Sequence, residues 1–227
     1  TPCNPIIVNA AATGTISKNF LSCDRKGEIP VKILHVTNHR LIKGTEYIEQ
    51  AINMLKNEDF NIEFELLEGV QNDIVQQKMR DCDILIDQIH SGYALSAIEG
   101  MANQCVVLSN ITRPYYYDFL RLYSFMDECP IVSVNVNDLF PQLKLLVKNP
   151  SLRKNLSFAA KEYAMKYHSY SSAVEMFGAI TGYFEDRLTR AQLLNYYHPL
   201  IGVNARNKVK KIKHVLTDEK KVIDPAL

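Results

Sequence analysis

The sequence predicts an α/β fold, a doubly wound, mostly parallel sheet with helices on both faces, and three observations carry that expectation. Short apolar runs rich in β-branched residues alternate along the chain with segments whose apolar residues recur at helical spacing. The strand-like runs are apolar almost throughout, as strands covered on both faces are. With 227 residues, 47 % of them apolar, the chain can bury one good core with an appended segment, but not two full domains of this kind.

The opening stretch, 1–30, shows no regular pattern and is read as a linker or N-terminal extension. Val31–Thr37 (VKILHVT) is the first strand. The turn NHRLIKG then leads to a helix over Thr45–Asn57, whose Tyr47, Ile48, Ala51, Ile52 and Leu55 form one stripe. Residues 62–67 alternate like a strand, 68–72 turn, and 73–82 are helical. A short strand at 83–87 (DILID) precedes a helix at 94–103, and 105–109 (CVVLS) is the next buried strand. Residues 130–134 (PIVSV) add a further strand, followed by helices at 137–148, 151–167 and 171–190. Pro150 supplies no donor, which suits a helix start, and Ser151 can cap. These elements define one domain over 31–190. The remainder, 191–227, has a Pro-Leu-Ile-Gly break and a lysine-rich segment and reads as an extension of lower order.

Charge is almost balanced, 26 Lys and Arg against 25 Asp and Glu, so no nucleic-acid partner is announced by the global field. The five cysteines, Cys3, Cys23, Cys82, Cys105 and Cys129, are odd in number and scattered, with no CxxC pair. That favours reduced thiols and a cytoplasmic setting. No apolar stretch approaches the roughly 20 residues of a membrane span, and no basic-then-apolar signal region opens the chain. The histidines and carboxylates show no metal-ligand spacing.

Ligands of a doubly wound sheet sit beyond the carboxyl ends of its strands, so the loops after Thr37, Leu67, Asp87 and Ser109 frame the candidate site. The first is Asn38-His39-Arg40-Leu41-Ile42-Lys43-Gly44-Thr45. It sets two cations three residues apart before a helix N-terminus, where Arg can fork onto two phosphate oxygens and Lys supplies a compact charge. The group suits a diphosphate; solvated turn cations are the alternative. The third loop runs from His90 through Ser91, Gly92, Tyr93, Ala94 and Leu95 into a helix of small residues carrying Glu99. Gly92 permits close approach of a ligand to the backbone. Glu99 lies beside an apolar stripe, where a carboxylate needs a partner: a ribose diol, a nearby backbone group or a lysine.

At these residues the span from Lys32 to Tyr183, about two thirds of the chain, resembles the C-terminal lobe of the two-lobed (GT-B), retaining glycosyltransferases of family 4. Many members serve bacterial polysaccharide and cell-envelope synthesis. Arg40 and Lys43-Gly44 match that family's basic diphosphate loop. Ser91-Gly92-Tyr93-Ala94-Leu95, three residues, then Glu99-Gly100-Met101-Ala102 match its Glu-Gly-Phe-Gly-Leu and Glu-Ala-Met-Ala run. An apolar strand, a Pro-Ile-Val strand, Asn149-Pro150-Ser151-Leu152-Arg153 and a helix ending near Tyr167-His168 follow in the same order. Two departures stand out. Ser91 replaces the family's first glutamate, and Gln104-Cys105-Val106-Val107 replaces its Gly-x-Pro-Val.

The resemblance implies that Glu99 holds ribose hydroxyls and that backbone amides near Gly92–Leu95 meet the phosphates or the sugar. It further implies transfer, with retention, of a sugar from a nucleotide sugar to a glycan or other acceptor. No metal or cofactor is expected; the nucleotide sugar is the donor substrate, and a helix dipole and the basic loop stabilise the leaving diphosphate. Residues 1–30 would be interlobe linker, the N-terminal acceptor lobe would be missing from this chain, and the chain alone would be inactive. A cytoplasmic protein, at the inner membrane surface or free of it, fits that role. An epimerase of similar fold would need acid and base groups that are not found. A non-catalytic relative acting as a binding or assembly module draws support from Ser91 and Gln104.

Other residues are weighed and set aside. His35 lies within a strand and reads as a core histidine, while His90 stands at the mouth of the sugar pocket. Tyr115-Tyr116-Tyr117 after Pro114 reads as loop packing rather than a stacking platform. From Lys208 to Leu216, lysines alternate with Ile212, Val215 and Leu216. A solvated tail is favoured there, with weak peripheral membrane contact as the alternative.

Overall fold

The computed structural model describes residues 29–90, 92–111 and 129–196. Ser91, Tyr115 to Tyr117, the Lys208 to Leu216 segment, Cys3, Cys23 and most of the 1–30 and 191–227 extensions lie outside the described residues. Among the described residues five strands form one sheet: β1 (Val31–Thr37), β2 (Ile62–Glu68), β3 (Ile84–Ile86), β4 (Val106–Ser109) and β5 (Val132–Ser133). Their order is β2-β1-β3-β4-β5, and every strand pair is parallel. An isolated antiparallel bridge joins Gly92 to Asn110 beyond the strand ends.

Eight helices are described: α1 (Arg40–Lys43), α2 (Thr45–Asn57), α3 (Asn72–Asp81), α4 (Leu95–Ala102), α5 (Leu139–Lys148), α6 (Pro150–Tyr167), α7 (Tyr170–Phe184) and α8 (Arg190–Tyr196). They cover both faces, because alternate residues of each strand serve opposite layers. On one face Ile33, Ile84, Ile86 and Leu108 pack against Ile48, Ile52 and Leu55 of α2 and Leu143 and Val147 of α5. On the other, Leu34, Leu85 and Val107 meet Val75 and Met79 of α3, Ile98 and Met101 of α4, and Tyr163 of α6. Each such fully buried aliphatic contributes roughly 1.5–3 kcal/mol of transfer free energy.

The α4 helix rides close on the sheet. A Cβ added at Gly100 would lie 2.3 Å from Leu85 Cδ2, so the residue there must be glycine unless Leu85 moves. Arg153 is almost wholly buried and donates to the carbonyls of Leu146 (2.6 Å) and Val147 (2.8 Å), supplying partners that the last turn of α5 lacks.

Most element boundaries lie within two residues of the sequence expectations, and larger differences concern how helices begin and end. The NHRLIKG turn contains the single helical turn α1, which ends on Gly44 at φ 76°. The cap of α6 is Asn149, whose side chain accepts from Leu152 N at 3.0 Å, while Pro150 occupies the first helical position and Ser151 lies inside. The expected 171–190 helix stops at Phe184, with Asp186 at φ 56°. A second helix, α8, starts where Thr189 and Gln192 cap each other reciprocally: Gln192 N donates to Thr189 Oγ1 and Thr189 N to Gln192 Oε1. This helix, Arg190–Tyr196, carries the first residues of the expected 191–227 extension.

Candidate functional site

The order β2-β1-β3-β4-β5 reverses direction between β1 and β3, and the carboxyl edge at such a switch point, here called the crevice, is where open α/β sheets take their ligands. The loop after β1 carries Arg40, Lys43 and Gly44; the loop after β3 carries Asp87 to Ala94 and leads into α4. The two loops touch. Ile89 N donates to Lys43 O at 3.2 Å, and a Cβ on Gly44 would stand 2.4 Å from Ile89 Cγ1. With φ at 76°, Gly44 is required both by its conformation and by this approach.

Lys43 reaches across the crevice. Its Nζ donates to Asp87 Oδ1 (2.8 Å) and Ser96 Oγ (2.9 Å). Asp87 is fully buried and also accepts from Ser96 Oγ (2.6 Å) and Ala94 N (2.7 Å). A carboxylate, an ammonium and the first residues of α4 thus form one network at the switch point. The backbone amide of Ala94, expected to face phosphate, donates to Asp87 instead.

Arg40 points elsewhere. Its guanidinium meets Glu46 (3.0 Å), Glu49 (2.6 Å) and Glu68 (3.3 Å), all partly exposed. Glu46 foremost, with Glu68 and Glu49, holds the guanidinium still more firmly in its charged form, and the same contact draws the Glu46 carboxyl below its usual range. Glu68 reaches Arg40 because parallel pairing sets it opposite Thr37 at the end of β1.

Glu99 sits one turn into α4, 9 % exposed. Burial raises its pKa, opposed by hydrogen bonds from Asn72 and Gln76 of α3 and by the charge of Lys43. The Asn72 contact is long, Nδ2 to Oε1 3.4 Å, so that oxygen is poorly satisfied by it. Lys43 and Glu99 therefore belong to one electrostatic neighbourhood, while Arg40 belongs to another.

The rest of the loop after β3 is fastened to the end of β4. Asn110 N donates to Gln88 O (2.9 Å), Asn110 Nδ2 to Ile89 O (2.9 Å), and the Ser109 hydroxyl lies against the carbonyls of Gln88 and Gly92. Gly92 has φ 60°, and Leu95 is exposed. Tyr93 packs on the α4 side of the sheet with its ring edge-on to His168. His90 lies edge-on to Tyr47 at 5.7 Å, beside Gly44. His35 is buried in the core. Its Nδ1 lies 2.7 Å from Ile86 O, an acceptor, so Nδ1 carries the proton and Nε2 accepts from the Thr45 hydroxyl at 2.9 Å. Burial lowers its pKa, favouring the neutral ring.

Asp87 is the residue that sequence reasoning left without a role. The signal was present: a carboxylate closing an otherwise apolar strand must have partners when buried. Among the described residues no group of three or more His, Cys, Asp and Glu is placed to hold a metal ion, and no helix is long and apolar enough to cross a membrane.

No protein-family model matches the sequence, and no curated protein matches it. The fold is similar to the crystal structure of a mutant of S. aureus TarM in complex with fondaparinux, α-GlcNAc-glycerol and UDP. The TM-score is 0.49 and the identity 16 %, over 70 % of this chain and 36 % of that one. The chain thus spans about a third of the length of that protein.

Proposed function

We propose that the domain is the donor-binding lobe of a glycosyltransferase, holding a nucleotide sugar in the β1/β3 crevice for transfer to a glycan acceptor that another lobe presents. The observation that carries this reading is convergence. The two segments whose order and spacing resemble the family 4 transferases, Lys43-Gly44 and Gly92 to Glu99, meet at one switch point and are joined there by Lys43. Lys43 would meet the diphosphate, and Glu99, a largely buried carboxylate whose contact with Asn72 is long, would take the ribose hydroxyls. Arg40 joins only after leaving its three carboxylates. Retention and a cytoplasmic setting, at the inner membrane surface or free of it, belong to the same proposal.

Calorimetric titration with uridine and guanosine diphosphates, and with the two nucleosides, tests it. Lys43→Ala should weaken a nucleoside diphosphate about ten-fold and spare the nucleoside, since one charge-assisted contact is lost. Glu99→Gln should weaken both. One observation favours the non-catalytic reading instead: both cations of the loop are already ion-paired. If neither diphosphate binds the unaltered chain at millimolar concentration, that reading replaces the first.

A further inference from the structure

We infer that Asp87 is the positioning residue of the crevice, resting on the donor-site reading above: it holds Lys43 and the start of α4 in the arrangement that receives the diphosphate. The argument begins with donor geometry. An ammonium has three N–H bonds, and Lys43 spends two of them on Asp87 and Ser96. With those two fixed, the direction of the third is fixed as well. The Lys43 side chain is 15 % exposed, so it is not sealed from solvent, and its two hydrogen bonds hold it in place. Lysine otherwise carries a long, freely rotating stem, and ordering it costs conformational entropy on binding. Asp87 removes that cost beforehand.

The same carboxylate accepts from Ser96 and Ala94 N, so it registers the N-terminus of α4 against the loop after β1. Two segments distant in sequence are thereby set by one buried oxygen pair.

Positioning and plain neutralisation make opposite predictions. If Asp87 only cancelled the charge of Lys43, Asp87→Asn would add one positive charge and strengthen binding of an anion. If it positions Lys43, Asp87→Asn should weaken uridine diphosphate about ten-fold despite the added charge and leave uridine unchanged. In a Lys43→Ala background the substitution should cost much less diphosphate affinity than in the unaltered chain, only what the registering of α4 contributes. Ser96→Ala, which removes the other acceptor and leaves Asp87 in place, should give a smaller loss in the same direction. It keeps the test open should Asp87→Asn fold poorly.

A readout free of nucleotide completes the experiment. In brief acetic anhydride labelling read by peptide mass spectrometry, Lys43 should react at least ten-fold more slowly than exposed Lys56, and Asp87→Asn or Ser96→Ala should abolish most of that protection. Protection without nucleotide binding sinks the donor-site reading and leaves the anchoring by Asp87 standing. Lys43 reacting as fast as Lys56 in the unaltered chain, or tighter diphosphate binding by Asp87→Asn, overturns the inference.

Discussion

His168 ends α6 with Nε2 sealed from solvent and no hydrogen-bond partner for it, and burial lowers its pKa to about 4. The unfolded chain, with a histidine near 6.5, binds the proton more readily, so stability is fully present above about pH 6.5 and drains as pH falls toward 4. Between pH 7 and 5 this one ring should cost about 2 kcal/mol, and His168→Phe, which keeps the contacts to Tyr93 and Tyr163, should flatten that fall in urea midpoints. Glu99 works with the opposite sign. Its raised pKa means the folded state holds the proton longer, so its contribution weakens as pH rises through that titration. Glu99→Gln should therefore raise the melting temperature at pH 7 while weakening nucleoside binding, the pairing expected of a group kept for function. Gly44→Ala should cost about 2–4 kcal/mol in chemical denaturation, because a left-handed backbone and the Ile89 clash act together. The helix stripe and the core role of His35 were legible in the sequence. The triple contact of Arg40 was not, since Glu68 is 28 residues away and only the register of β1 on β2 brings it near.

The helices and strands themselves were readable because each announces its period. Of the α2 stripe, Ile48, Ala51, Ile52 and Leu55 are buried where the spacing put them, whereas Tyr47 at its edge is exposed, and the helix keeps the expected bounds Thr45–Asn57. Ends were harder, since a cap is one hydrogen bond against several competent side chains. Around Pro150, Asn149 and Ser151 are both cap residues by type, and the φ fixed by proline decides for Asn149, because the residue before it is held out of the helix. Asn149→Ala should lower stability by about 1 kcal/mol in thermal melts, and Ser151→Ala should change it much less. The Thr189–Gln192 pair carries the capping-box spacing, so the start of α8 could have been read from sequence had the helical period of α7 not been run on past Phe184.

At the scale of the whole domain, the switch point followed from strand order, and strand order is a long-range fact that no local pattern contains. What sequence did supply was the list of loops at the carboxyl edge, two of which proved to adjoin β1 and β3. The close seat of α4 on the sheet then acquires a mechanical meaning. With Gly100 against Leu85 on one side and Asp87 gripping its first residues, α4 is the anvil of the crevice, unable to recede from the loop after β1. The opposite wall is a single helical turn with no buried residue, held at its end by Lys43 on buried Asp87 and at its start by the partly exposed ion pairs of Arg40, for which water can compete. Accommodation of a larger or smaller ligand would therefore come from the Arg40 end of that wall, because Lys43 is anchored on Asp87 and Gly44 already lies against Ile89.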